Sequence, residues 1–138
     1  MMKQLIERLK QGNHSLVIET TDGVMTFDTR GVSTLYDLLT NQPQLLDGSR
    51  VADKVVGKGA AALMLLGKVR EVHALTISQP ALDLFQRYGM RVTYEKVVDN
   101  IINRAGNDIC PVEKLCMNCE TPQQALPLIS SFLADMKK

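Results

Sequence analysis

Between Asp53 and Leu66 the chain reads DKVVGKGAAALMLL, an extended apolar approach that meets a Gly-Lys-Gly turn and continues as a helix dense in Ala, Leu and Met. A strand feeding a helix is half of a βα unit, and the residues that follow keep the alternation. The pattern predicts a helix over 58–66, a strand over Val72–Ile77, a helix over 79–88 ended by Gly89, and a strand over Met90–Glu95. Strands separated by helices pair in parallel.

The segments before the junction behave differently. Leu5, Ile6 and Leu9 share one face of a short helix that Gly12-Asn13 ends, and SLVIE (15–19) then alternates as a strand does. Thr21-Asp22-Gly23 is a turn with glycine where positive φ is needed, so VMTFD (24–28) returns as the second arm of a hairpin. Ser33 is expected to cap a helix through Leu39, stopped by Asn41-Gln42-Pro43. At the other end one helix begins near Cys110. A last one runs from Thr121-Pro122 to about Met136, with Thr121 as its cap. The fold expected is α/β: a three-layer α/β/α sandwich whose mixed sheet opens with an antiparallel hairpin and continues with parallel strands. All of 1–138 forms one domain, a size at which folding buries about two-thirds of the unfolded chain's surface.

Composition removes several function classes. A net charge of +1, 4% aromatic residues and no Trp give nucleic acid neither a basic stripe nor stacking platforms. No window approaches the roughly 18 apolar residues of a membrane span. The opening MMKQLIERLKQG carries Lys3, Glu7, Arg8 and Lys10, which a signal peptide's apolar stretch excludes. Three cysteines within ten positions, an odd number, suit a reducing compartment, so a cytoplasmic location is expected.

In an open α/β sheet, ligands gather outside the carboxyl ends of the strands, where helix N-termini point. That rule nominates Asp53, Lys54, Gly57, Lys58 and Gly59 at one junction, Ser78, Gln79 and Pro80 at the next, and the 99–110 loop. A lysine in the first turn of a helix opposes the dipole unless an anion or a carboxylate answers it. Lys58 therefore marks an anion site, or else Gly57 and Gly59 form a tight turn and Lys58 is solvated. A phosphate loop fails on spacing, because position 52 is Ala and position 59 is Gly where Gly and Ser or Thr are required.

Ser78-Gln79-Pro80 reads as a helix cap whose hydroxyl could also touch a ligand. In Cys110-Pro111-Val112-Glu113, Pro111 starts a helix and Glu113 can reach back in a capping-box manner. Cys110 can equally be a thiol eased toward thiolate, against which Asp108 and Glu113 work. Cys110, Cys116 and Cys119 would be one thiolate short of a four-cysteine metal set and are taken as incidental. His14 and His73 are assigned structural roles. No Ser-His-Asp order and no HExxH occurs.

The element order, with DKVVGKGAAA (53–62) and NRAGNDICPVE (103–113), resembles the cytidine-deaminase-like fold. It is more specifically similar to a family of small bacterial proteins of unknown function in that superfamily, over most of the chain to about Glu113. Zinc deaminases of that fold need His or Cys before Ala-Glu at the first helix start and Pro-Cys-x-x-Cys at the second. Here those starts read Gly57-Lys58-Gly59 and Ser78-Gln79-Pro80-Ala81, so neither a zinc site nor any other cofactor is expected. The resemblance implies a retained cleft lined by Asp53, Lys54, Gly57, Lys58, Ser78, Asn103, Arg104, Gly106, Cys110 and Glu113. The function expected is binding of a small anionic or nucleotide-like ligand in a regulatory role, with homo-oligomer formation open. Two rivals stand beside it: a non-zinc enzyme with Cys110 as nucleophile and Asp53 as base or lysine partner, and a subunit scaffold with a vestigial cleft.

Overall fold

Leu5 and Leu9 are one helical turn apart on α1 (Met2–Gln11) and are buried against Val17 and Ala52 of the sheet, forming a small core on one of its faces. The computed structural model describes residues 2–29, 32–103 and 105–136. Helix α1 ends where Asn13 turns to φ 51°, a left-handed conformation that asparagine tolerates. The hairpin follows as β1 (Leu16–Thr20) and β2 (Gly23–Phe27), antiparallel, with Gly23 at φ 139° in the turn.

Helix α2 (Ser33–Asn41) and a 3-10 turn (Pro43–Leu45) lead into β3 (Arg50–Val56). Then come α3 (Lys58–Leu66), β4 (Glu71–Ser78), α4 (Gln79–Arg87), β5 (Arg91–Val98), α5 (Pro111–Cys116) and α6 (Pro122–Met136). The five strands form one open mixed sheet in the order β2-β1-β3-β4-β5, with β1 antiparallel to both its neighbours and β3, β4 and β5 parallel. The alternation of helix and strand after Asp53 thus produces the parallel half, as its pattern predicts.

The larger core lies against α3, where seven of nine residues are buried. A helix apolar on all sides has to be enclosed on all sides. Helices α2, α4, α5 and α6 all contact it, and Ala60 to Met64 pack in one cluster with Val51, Val72, Ala74, Phe85 and Ile129.

Three local expectations change. Ser33 is the first helical residue of α2 and makes no cap; Val32 holds the cap position with no side-chain bond, so α2 begins without the hydroxyl cap. Strand β5 runs on to Val98, because pairing with β4 continues through Ser78↔Val98. The hairpin's second arm stops at Phe27. At α6 the cap is as expected and more complete: Thr121 Oγ1 accepts the Gln124 N–H at 3.3 Å, while Gln124 Oε1 accepts the N–H groups of Glu120 at 2.6 Å and Thr121 at 3.3 Å.

Because β3 and β4 are parallel neighbours, Val56 and Ser78 end at one edge, and α3 and α4 both start there. Two helix N-termini aimed at one place are the geometric basis of the candidate site.

Candidate functional site

The first N–H of α3, that of Lys58, donates to Glu113 Oε1 at 2.8 Å. Ser78 caps α4 by accepting the Ala81 N–H at 3.2 Å, and its hydroxyl donates to the same Glu113 oxygen at 2.9 Å. The other oxygen, Oε2, accepts the Ile101 N–H at 2.5 Å. Glu113 is 2% exposed. The anion that two convergent helix N-termini call for is therefore the protein's own carboxylate, delivered from α5. This corrects the capping-box expectation: Glu113 does not reach back to Cys110, whose cap position carries no side-chain bond, because its oxygens are committed across the fold.

Lys58 departs from both readings of it. Its ammonium donates to the carbonyl of Met117 at 2.9 Å and of Cys119 at 2.6 Å, and the residue is 9% exposed. Those carbonyls lie at and just beyond the end of α5, where a helix leaves C=O groups unpaired and carries partial negative charge. The lysine that is misplaced on its own helix is well placed at the end of another. It is not solvated, and among the described residues it does not pair with Asp53.

The glycines permit this approach. A Cβ on Gly59 would stand 2.5 Å from Val112 Cγ1, and one on Gly57 would stand 3.3 Å from Glu113 Oε1 and from Ile101 Cγ1. Neither glycine has positive φ, so the tight-turn reading gives way to close packing of α5 on the start of α3.

The remaining nominated residues divide. Lys54 is exposed and its ammonium is 3.5 Å from Asn13 Oδ1, toward the α1 end rather than toward Lys58. Asn103 bonds within its own loop, its Nδ2 donating to Asn107 Oδ1 at 2.9 Å and its Oδ1 accepting the Asn107 N–H at 3.2 Å. Gly106 at φ 75° turns that loop, which the Ile102↔Ile109 bridge closes. Arg104 lies outside the described residues. Gln79 bonds Asp83 along α4 at 2.8 Å, and Pro80 sits in the first turn. Cys110 is half-buried at the start of α5, its N–H donating to the Ile101 carbonyl at 2.8 Å.

Asp53 stands apart electrostatically. It lies inside β3 between Leu16 of β1 and Ala74 of β4, and its Oδ1 accepts the Val55 N–H at 3.3 Å. Burial is the dominant influence and pushes its carboxyl up to about 7, with bonds from the Val55 and Lys54 backbone opposing. Among the described residues no cation pairs with it.

His73, expected to be structural, bonds across strands: its Nδ1 is 2.7 Å from Thr93 Oγ1 and its Nε2 is 3.3 Å from Glu95 Oε2. Two surface recesses lie away from the helix starts. One of about 610 Å³ runs between α1 and the hairpin beside Gln4, Arg8, His14 and Glu19. Another of about 400 Å³ lies beside Arg70, Tyr88 and Arg91, at the opposite edge of the parallel strands. Among the described residues no three His, Cys, Asp or Glu side chains gather as a metal site requires, and no helix is long and apolar enough to cross a membrane.

The partners that sequence reasoning missed are backbone groups: the carbonyls of Met117 and Cys119 and the N–H of Ile101. Side-chain identity carries no mark of them. Glu113 itself was legible as a candidate, but its partners lie 12 to 55 positions away along the chain.

The model of the family described as TM1506, Domain of unknown function (DUF1893), matches residues 4–133. No curated protein matches the chain. Among solved structures the chain is similar to the crystal structure of a DUF1893 family protein (TM1506) from Thermotoga maritima. The TM-score is 0.86 and the identity 28%, over 94% of this chain and 88% of that one. A match that spans both halves of the sheet and the α5 segment carrying Glu113 covers the whole helix-start junction. The chain belongs to the DUF1893 family.

Proposed function

We propose that the protein is a binding or assembly subunit on a deaminase-like frame, its cleft at the helix N-termini closed from within by Glu113. The observation that carries this reading is the set of three hydrogen bonds that Glu113 accepts from Lys58, Ser78 and Ile101. An anionic or nucleotide-like ligand at the same place would have to displace a carboxylate already bound by the Lys58 N–H, the Ser78 hydroxyl and the Ile101 N–H. Of the sequence-level alternatives, the subunit scaffold is the one this geometry favours.

The surface offered for assembly is the β5 edge. No residue of β5 is fully buried, its outer hydrogen-bonding groups have no strand partner among the described residues, and Tyr94 and Val97 are 44% and 36% exposed. An open strand of this kind is a template for another strand unless charges blunt it; β5 carries charges at Arg91, Glu95 and Lys96 and leaves 92–94 and 97–98 uncharged.

The test is a thermal-shift and calorimetric screen with inorganic phosphate, nucleotides and small carboxylates on the wild type and on Glu113→Ala. The expected result is no saturable binding by the wild type, with acetate or phosphate stabilising the variant selectively. Saturable nucleotide binding by the wild type, lost in Lys58→Met, would restore the ligand-binding reading. For the edge, light scattering on the wild type and on Tyr94→Lys should show association lost in the variant. A wild type that stays monomeric at high concentration would count against β5 as a self-pairing surface.

One observation favours a second reading, that of a non-zinc enzyme: Asp53 holds a proton-active carboxyl near neutrality with no cation among the described residues to fix its charge. Activity lost in Asp53→Asn with the fold intact would support it.

A further inference from the structure

Cys116 is the last residue of α5, and three positions on the Cys119 N–H donates to the Cys116 carbonyl at 3.0 Å. That hydrogen bond closes a tight turn over Met117 and Asn118. In a four-residue turn of this kind the outer Cα atoms lie within about 7 Å, which overlaps the span a disulfide bridges. Both side chains turn inward to the same cluster: Cys116 is fully buried, Cys119 is 9% exposed, and both are free thiols. The thiols are also neighbours, since Cys119 acts on Cys116 directly. The Lys58 ammonium, held by the carbonyls of Met117 and Cys119, ties the same turn to the start of α3.

We propose that Cys116 and Cys119 form a two-electron dithiol–disulfide pair, oxidised by low-molecular-weight disulfides, and that closing it locks the turn that anchors Lys58. This goes beyond the assembly role and does not depend on it. The more exposed Cys119 reacts first. Its thiolate attacks one sulfur of the small disulfide, whose S–S bond breaks and releases one thiolate. The Cys116 thiolate then attacks the Cys119 sulfur, and the mixed S–S bond breaks to release the second. The protein gives up two protons and two electrons, and the oxidant leaves as two thiols.

The environment sets the rate. Burial, with the neighbouring Cys119, pushes the Cys116 thiol up to about 12, and the Lys58 charge acts in the opposite direction. Attack by Cys116 on the mixed disulfide is therefore the slow step and quickens as pH rises. The product has a near neighbour's effective concentration in its favour, because two thiols already packed together need little chain ordering to join.

The experiment equilibrates Cys110→Ser with excess oxidised glutathione at pH 8, then counts thiols after denaturation and measures the intact mass. Two thiols should fall to none, the mass should fall by the two hydrogens lost, and added dithiothreitol should reverse both. Closing so short a loop should raise the midpoint of thermal unfolding. A stable glutathione adduct, or two thiols that persist after equilibration, would overturn the proposal. So would a wild type that loses two thiols while Cys110→Ser keeps both, because the bridge would then belong to Cys110. Cys119→Ser controls for folding: if it unfolds, the Cys110→Ser measurement still decides.

Discussion

The carboxylate of Glu113 sits 2.8 Å from the backbone nitrogen of Lys58, and the side chain of that same Lys58 reaches back to the far end of the helix that carries Glu113. One residue takes the anion at its N–H and gives the cation at its ammonium, so α3 and α5 are clamped at both ends of the shorter helix. The partial charges of two helices are answered by side chains of the chain itself.

Glu113 should be among the costliest single positions in the protein. Glu113→Ala leaves three buried or half-buried donors without an acceptor and opens a cavity, so a loss of about 3–5 kcal/mol is expected. Glu113→Gln keeps the shape but turns one accepting atom into a donor, and should cost about 1–3 kcal/mol. Urea unfolding measures both. Added acetate should recover part of the loss in the alanine variant alone; equal response in wild type and variant would place the acetate elsewhere.

Lys58 reverses sign relative to the dipole argument. From the sequence, removing a cation at a helix start should leave stability unchanged or raise it by about 0.3–1 kcal/mol. With the ammonium bound to two carbonyls, Lys58→Met should instead destabilise by about 2–4 kcal/mol, since each charge-assisted bond contributes about 1.5–3 kcal/mol and part returns through solvation. A variant as stable as the wild type would show that the Met117 and Cys119 carbonyls do well enough with water.

Gly59 should resist even one added methyl group. A Cβ there meets Val112 Cγ1 at 2.5 Å, a distance real Cβ atoms do not reach, so the Val112 side chain or α5 itself must shift to admit it. Gly59→Ala is expected to cost about 1–3 kcal/mol despite alanine's better helix propensity, which alone would contribute about 1 kcal/mol the other way. Pairing it with Val112→Ala should recover most of the loss if the clash is the cause.

How much of this could be read beforehand follows from the range of the forces involved. The strand-helix alternation from Asp53 to Val98 depends on periodicity and local stops such as Gly89, and it gave α3 at its observed bounds. The placement of Lys58 and Ser78 at one edge followed from parallel pairing. What Lys58, Gly57 and Gly59 do there did not, because each is explained by a residue of α5 or the turn after it, more than fifty positions away. A buried lysine and a solvated one look alike in sequence. Glycine that serves a turn and glycine that serves close approach look alike too. The burial of Asp53 was equally hidden, since a carboxylate in a strand is ordinarily expected to face water.

Asp53 provides the test with the sharpest dependence on pH. Its folded carboxyl is raised from the ordinary 3.8 to about 7 by burial, whereas the unfolded chain titrates near the ordinary value. Between those limits the folded state holds a proton that the unfolded state has released. Stability attributable to this group is therefore full below about pH 4, falls as pH rises, and levels off above the folded value. A rise of that size corresponds to at most about 4 kcal/mol, and relaxation around the charged form reduces it. Asp53→Asn keeps an oxygen for the Val55 N–H and removes the titration, so it should exceed the wild type by about 1 kcal/mol near pH 4.5 and by about 2–3 kcal/mol at pH 8. Denaturant unfolding of both proteins at pH 4.5, 6 and 8 measures the difference. Two stability curves that stay parallel across that range would mean that Asp53 ionises freely in the folded protein, and that the carboxyl is reached by water from the cleft side.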